Sequence, residues 1–187
     1  MSNIVPIVVG YLLGSIPSGF IVAKTKGIDL REKTKDGRFG TAVVKRECGL
    51  FPGILVGIMD FFKGGSSIII AEKLSHQEWV VVLSGLAAIV GHNWSIYLKF
   101  LGGKGAATSF GNLFFLLTHS FLLACFFTAI PAFLLRKRKT TLGMRTSSFL
   151  TIILFLFTLF WSLVSNISVT LSLSPVIFSL PMIIKKN

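Results

Sequence analysis

Apolar residues fall along this chain in long runs, near 4–23, 51–71, 79–98, 146–165 and 167–184, each close to the roughly 20 residues needed to cross about 30 Å of hydrocarbon. Between the third and fourth of these, 106–135 is long enough for two shorter crossings broken near Thr118 to Ser120. The pattern predicts seven transmembrane helices in an all-α integral membrane protein, with residues 1–187 forming a single multi-pass domain. No internal repeat and no soluble domain is visible.

Polar positions then orient the spans. Lys24, Lys26, Arg31, Lys33, Lys35, Arg38, Lys45 and Arg46 fill the first loop, Lys99 and Lys104 the third, and Arg136 to Lys139 with Arg145 the fifth. Lys185 and Lys186 lie in the tail, and only Lys73 falls in an even-numbered loop. The positive-inside rule therefore predicts an outside amino terminus, cytoplasmic odd loops and a cytoplasmic carboxyl terminus. The first run has no positive residue ahead of it and carries Pro17 rather than a small-residue cleavage site, so it reads as a retained helix.

Composition agrees with this setting: 52% of residues are hydrophobic, 14% are charged, and the mean hydropathy is +0.78. The net charge of +12 does not indicate nucleic acid, because the basic residues cluster between apolar runs instead of covering a hydrophilic face. Cys48 in the first loop and Cys125 within a span give no disulfide framework, and neither is expected to be reactive. Small residues four apart, Gly10 with Gly14, Ser15 with Gly19 and Gly53 with Gly57, would let helix backbones approach closely.

Candidate chemistry is sparse. His76 and His119 sit at predicted outer turns far from other ligands, so no metal is indicated. No Gly-x-Ser-x-Gly elbow exists, and the seven acidic residues include no pair with an evident acid/base role. The loop "LGGKGAATS", Leu101 to Ser109, fails as a nucleotide P-loop, since Gly105 follows Lys104 where a hydroxyl is required. Its glycines nevertheless allow successive N–H groups to share one concavity beside a lysine charge, which suits a phosphate. If Thr108 and Ser109 open the following helix, its N-terminus adds to the same anion site. A flexible turn with a positive-inside lysine is the competing reading.

Two further polar stretches bear on that choice. His92 and Asn93 lie near the inner end of the third span, a dozen residues before Lys104. In "YLLGSIPSGF", Pro17 is expected to free the carbonyl of Leu13, with Ser15 and Ser18 bonding in its place. A serine-capped kink explains the second stretch as well as a ligand site does.

The succession of "YLLGSIPSGF", "DFFKG" at Asp60 to Gly64 and "GHNWSIYLKFLGGKGAATSFG" at Gly91 to Gly111 resembles the bacterial acyl-phosphate:glycerol-3-phosphate acyltransferase family. The resemblance covers roughly the first 110 residues. It implies a multi-pass enzyme of the bacterial cytoplasmic membrane, facing the cytoplasm and taking part in phospholipid biosynthesis. The reaction implied is transfer of a fatty acyl group from acyl phosphate to the 1-hydroxyl of glycerol 3-phosphate, giving lysophosphatidic acid. Membrane lipid would surround it, with no cofactor, no metal, no nucleic acid and no obligate protein partner. A mixed anhydride already carries a good leaving group, so alignment and charge stabilisation can supply much of the acceleration, consistent with the missing triad.

By the same resemblance, Lys104 with Gly102, Gly103, Gly105 and Thr108 would hold phosphate, and Arg46 would pair with a phosphate bidentately. His92 and Asn93 would lie beside the reacting groups, and Ser15 would orient the first motif. Asp60 and Lys63, three apart on a helix, read as a structural ion pair. The first loop departs from the family's Gly-Ser-Gly-Asn-x-Gly-Ala-Thr-Asn pattern. "KDGRFGTAV", Lys35 to Val43, keeps Gly37 and Gly40 but places Asp36 at the serine, Arg38 at the first asparagine, Ala42 at the threonine and Val43 at the final asparagine. Arg38 would restore some positive charge. Leu101 stands where the family often has lysine and Ser95 where it often has proline. The departures keep two alternatives open: a paralogue that binds phosphorylated lipid precursors with little turnover, and a small organic-phosphate transporter.

Overall fold

In the computed structural model, the described residues are 3–34, 39–134, 146–165 and 167–184. The first apolar run forms two helices, α1 (Ile4–Ser15) and α2 (Ser18–Thr25), separated at Ile16 and Pro17. A short α3 (Leu30–Lys33) follows, capped by Asp29, whose carboxylate accepts from the backbone N–H of Arg31 and pairs with its guanidinium at 2.6 Å. That pairing holds the Asp29 carboxyl at about 2, below the usual carboxylate range.

Next come α4 (Thr41–Cys48), α5 (Leu50–Leu74), α6 (Glu78–Asn93), α7 (Ala106–Leu116) and α8 (Thr118–Leu134). After these come α9 (Thr146–Val164), α10 (Val169–Ser172) and α11 (Ser174–Ile184). Two stretches are long and apolar enough to cross a membrane, Ile4–Thr25 and Leu50–Leu74, while α6, α7 and the segments Ile153–Val164 and Val169–Pro181 are shorter apolar helices. At 1.5 Å per residue, α5 is about 37 Å long.

Several boundaries differ from the expected ones. The third run ends as a helix at Asn93, not near residue 98, because the chain turns back there. The break after α7 falls at Leu117 rather than at Thr118 to Ser120, with Thr118 already starting α8. Residues 167–184 divide into α10 and α11 at Leu173.

The helices associate as lipid-embedded helices do, through small residues and buried polar groups. A Cβ on Gly10 would meet the Ser84 carbonyl oxygen at 2.4 Å, and one on Gly14 the Ala88 oxygen at 1.9 Å, so α1 and α6 touch backbone to backbone. The other two small-residue pairs behave differently. Ser15 and Gly19 straddle the α1–α2 break and share no helix face, while Gly53 lies against Lys45 of α4 and Gly57 has room beside Thr41. Buried side-chain bonds join the elements further: Ser84 Oγ donates to Pro6 O at 2.9 Å, Asn112 Nδ2 to Gly85 O at 2.8 Å and Asn93 Nδ2 to Pro181 O at 2.9 Å.

Large apolar side chains such as Ile4, Val8, Phe51, Ile58, Phe62 and Phe160 point outward, while Ser15, Asp60, Asn93, Thr108 and Asn112 are buried. Apolar residues outside and polar residues within suit hydrocarbon as the solvent. One apolar core lies between α5, α6, α7, α8, α9 and α11, around Ile68, Ile89, Leu113 and Phe178. A smaller one, Val22, Ala23, Leu30, Phe39, Val44 and Val56, fastens α2, α3 and α4 to α5. This second core sets the amphipathic α4 beside the α1–α2 break.

Candidate active site

The break at Pro17 organises the polar interior. Its consequences for the backbone are not those expected, since the Leu13 carbonyl accepts from Ile16 N–H at 3.2 Å and needs no serine. The Ile16 carbonyl accepts from Ser18 N–H at 3.0 Å, and side chains from other elements reach both it and the Ser15 carbonyl. Ser95 Oγ donates to Ser15 O at 2.5 Å, and Lys63 Nζ donates to Ile16 O at 2.9 Å. Both partners come from other elements, so the broken helix is held by its neighbours.

Lys63 also pairs with Asp60, one turn earlier on α5, with Nζ 2.9 Å from Oδ1. The expected ion pair is therefore present, and it has more partners than its spacing reveals. Ser18 Oγ donates to the same Oδ1 across a very short bond, and His92 Nδ1 lies 3.5 Å from it. Asp60 is 1% exposed, and an isolated buried carboxylate is costly. Here a cation, a hydroxyl and an imidazole surround one oxygen.

Beyond His92 the chain reverses in a tight turn. Ser95 N–H donates to Leu101 O at 3.2 Å and Phe100 N–H to Ser95 O at 2.8 Å, with Ile96–Leu98 making one 3₁₀ turn between them. Lys99 and Phe100 both adopt left-handed backbone conformations, φ 51° and 63°, which cost about 1 kcal/mol or more each for side-chain-bearing residues. The reversal returns Gly102 and Gly103 to the end of α6, where Gly103 N–H donates to His92 O at 3.0 Å. No side chain fits there: a Cβ on Gly103 would lie 2.0 Å from His92 Nε2, and one on Gly102 2.2 Å from His92 O.

Gly105, at φ +81°, opens α7 from the left-handed region and packs against Asn93 Oδ1. Thr108 and Ser109 thus lie within the first turns of α7 and do not open it. Ser109 Oγ donates back to Gly105 O at 2.9 Å, while Thr108 Oγ1 is buried with no hydrogen-bond partner among the described residues.

A cleft results, lined by Ser15, Pro17, Ser18, Lys63, His92 and the Gly102–Gly103 backbone, with Phe39 on its far wall. Ser15 Oγ is fully buried beside it and has no hydrogen-bond partner among the described residues. Lys104 follows the glycines at an exposed position, and Gly40, the residue before α4, brings the first loop alongside: a Cβ there would sit 3.5 Å from Gly103 Cα. Gly37, Arg38, Lys35 and Asp36 lie outside the described residues. Arg46, near the end of α4, is 66% exposed with Nε 2.6 Å from Glu47 Oε1, and is not among the lining residues. Burial together with the Glu47 charge pushes the neighbouring Cys48 thiol up, away from the reactive thiolate.

The structure therefore brings together Ser15, His92, Asn93, Gly102, Gly103, Gly105 and Gly40. It adds three residues whose site connections were not anticipated: Ser18, Lys63 and Ser95. Their signals in the sequence were the proline break and a Lys three residues after an Asp inside an apolar run. Among the described residues no group of three or more His, Cys, Asp or Glu side chains converges as a metal site. The arrangement sets a buried Asp60–Lys63 pair, serine hydroxyls and an imidazole around a small cleft, with the glycine backbone packed close beside it.

The glycerol-3-phosphate acyltransferase family model matches residues 4–185 of this chain. A glycerol-3-phosphate acyltransferase of Thermus thermophilus is 44% identical over 110 residues, covering 59% of this chain and 55% of that protein. One from Parasynechococcus marenigrum is 42% identical over 119 residues, 63% of this chain and 55% of the relative. The matched stretch spans just over half the length of these relatives. Over the whole fold, the chain is similar to the crystal structure of the integral membrane glycerol 3-phosphate acyltransferase PlsY in its glycerol 3-phosphate form. That likeness has a TM-score of 0.80 and 33% identity, covering 99% of this chain and 88% of the other. The lysophosphatidic acid form of that protein gives a TM-score of 0.78 at 31% identity, with 98% and 87% covered. This chain is a member of the glycerol-3-phosphate acyltransferase family of integral membrane proteins.

Proposed function

We propose that this protein transfers a fatty acyl group from acyl phosphate to the 1-hydroxyl of glycerol 3-phosphate, releasing phosphate and forming lysophosphatidic acid. The observation that carries the reading is the meeting of three separated motifs at one cleft: the Ser15–Ser18 helix break, Asp60 with Lys63, and His92 with the returning Gly102–Gly103 loop. Two phosphorylated substrates repel unless the site supplies positive charge, which Lys104 beside the glycine loop would provide, with Lys63 already paired to Asp60. Arg46 would add a further cation and Gly40 a close backbone approach, while Arg38 and Gly37, outside the described residues, are assigned to phosphate by the family pattern alone; Ser15 and Thr108 would contribute hydroxyls. His92 and Asn93 stand nearest the reacting groups. The amino terminus lies outside, and the carboxyl terminus and cleft face the cytoplasm, where both water-soluble phosphates are available.

Purified protein in detergent or lipid, given palmitoyl phosphate and glycerol 3-phosphate, is expected to release phosphate and lysophosphatidic acid in equal amounts. Absence of both, under conditions where a relative turns over, would sink the reading. Binding of glycerol 3-phosphate without product would identify a non-turning paralogue instead.

A further inference from the structure

The turn between α6 and α7 sorts its side chains by chemistry. Ser95 and Leu98, one 3₁₀ turn apart, face inward: Ser95 Oγ donates to Ser15 O, and Leu98 packs against the second core. Ile96, Tyr97, Phe100 and Leu101 face outward, 50%, 56%, 60% and 42% exposed, much as Phe62 and Phe160 are on the apolar exterior at 55% and 60%. Lys99 and Lys104 are exposed beside them, and no Asp or Glu follows Glu78 in the chain, so the charge of the tip is wholly positive. A tip built for water would place glycine or asparagine at its left-handed positions. Here those positions hold Lys99 and Phe100, and the Phe100 ring stays exposed in spite of the strained backbone beneath it. The tip also satisfies much of its own backbone, since the N–H groups of Ser95, Leu98, Phe100 and Leu101 all donate within residues 95–101. Its base is fastened by Tyr11 Oη, which donates to Trp94 O at 2.9 Å.

We infer that the turn at residues 95–101 is an interfacial anchor: Ile96, Tyr97, Phe100 and Leu101 enter the bilayer surface on the cleft's side of the membrane, with the Lys99 ammonium at its phosphates. The occupant is lipid because the chemistry of the tip is that of the boundary between headgroups and acyl chains. Aromatic rings sit there with one end wet and one end apolar, and a lysine reaches from an apolar level to the phosphates. A positive tip without a carboxylate complements phosphate-bearing headgroups, and a backbone bonded within itself costs less to bring out of water. From the tip the chain runs directly into Gly102 and Gly103, which line the cleft, so the anchor holds that wall at the level where a lipid-borne substrate arrives. This last consequence rests on the acyl-transfer reading; the insertion itself does not.

The test uses the full chain with Cys48 and Cys125 replaced by alanine and a nitroxide at Phe100→Cys, in phosphatidylcholine–phosphatidylglycerol nanodiscs that hold a single copy. Lys26→Cys marks water and Phe62→Cys marks hydrocarbon. Relaxation of the label by oxygen relative to a water-soluble nickel chelate is expected to be at least about threefold higher at Phe100→Cys than at Lys26→Cys. Equal ratios overturn the proposal and leave a protein as the occupant of the tip; a difference that appears only when copies share a vesicle also overturns it, in favour of a contact between copies. In proteoliposomes, Tyr97→Ser with Phe100→Gly removes both rings and the Phe100 strain. KM for palmitoyl phosphate is then expected to rise about threefold or more, with KM for glycerol 3-phosphate within about twofold and the melting temperature little changed. An unchanged KM for palmitoyl phosphate, or an equal rise in both, overturns the anchor's role at the cleft. Should that variant lack a cooperative melting transition, Tyr97→Ser alone carries the same expectation. A parent protein with no turnover sinks the acyl-transfer reading instead, and the relaxation ratio still decides the insertion.

Discussion

At the scale of single residues, the charges divide into those that are enclosed and those that are exposed. Lys63 is buried and committed to Asp60 and the Ile16 carbonyl, so it holds the site's shape as well as its charge. Lys104 and Arg46, which the proposed function assigns to phosphate, are exposed, as a cation that exchanges a ligand with water would have to be. Lys104→Ala and Arg46→Ala are each expected to lower kcat/KM about 100-fold or more, measured as phosphate release, with little change in melting temperature. For Arg46 this means giving up an exposed pair with Glu47, which is worth little. Asp36→Ser is expected to leave activity unchanged or raise it, because the family pattern has serine at that position and a carboxylate there would repel a phosphate; a large loss would show that the first loop is aligned differently. The cleft-lining role of Lys63 was hidden in the sequence because an i, i+3 Asp–Lys pair has the same spacing whether it faces lipid, a neighbour or a site.

At the scale of elements, one proline and a few glycines decide what meets what. Pro17 separates α1 from α2, and Ser95 and Lys63 reach across to the Ser15 and Ile16 carbonyls at the break, the latter also accepting from Ser18 N–H. Gly10 and Gly14 let α6 close on α1, which carries His92 to the break. Gly14→Val is therefore expected to cost about 1–3 kcal/mol or more in thermal unfolding in detergent, and activity with it, since the added Cβ would lie 1.9 Å from the Ala88 oxygen. Gly57→Ala should be neutral or slightly stabilising, because its nearest neighbour is Thr41 Cγ2 at an ordinary 3.5 Å. Both glycines belong to small-residue pairs four apart in the sequence. Which of them carries a helix contact depends on the partner that each face meets.

At the scale of the molecule, the distribution of Lys and Arg assigns a direction across the membrane. With Cys48 and Cys125 replaced by alanine, Asn3→Cys in intact cells should react with an impermeant thiol reagent, and Asn187→Cys only after permeabilisation. The reverse pattern would place the cleft on the wrong side for its proposed substrates. The apolar exterior formed by residues such as Phe51, Phe62 and Phe160 leaves no place for this chain in water and brings lipid tails to the same body that holds the polar cleft.

The sequence alone determined the membrane setting, the helical class and the motifs that carry the family, because hydrocarbon admits long apolar helices and the polar exceptions stand out against them. Tertiary structure decided where those helices stop and which polar residues share a cavity. Helix ends at Asn93, Leu117 and Leu173 follow from the backbone turning to meet neighbours, and apolar runs carry no mark of that turn. The convergence of Ser18, Lys63 and His92 on one Asp60 oxygen joins positions 18, 60, 63 and 92 across three elements. Periodicity within a single helix cannot encode it; the packing of α2, α5 and α6 creates it.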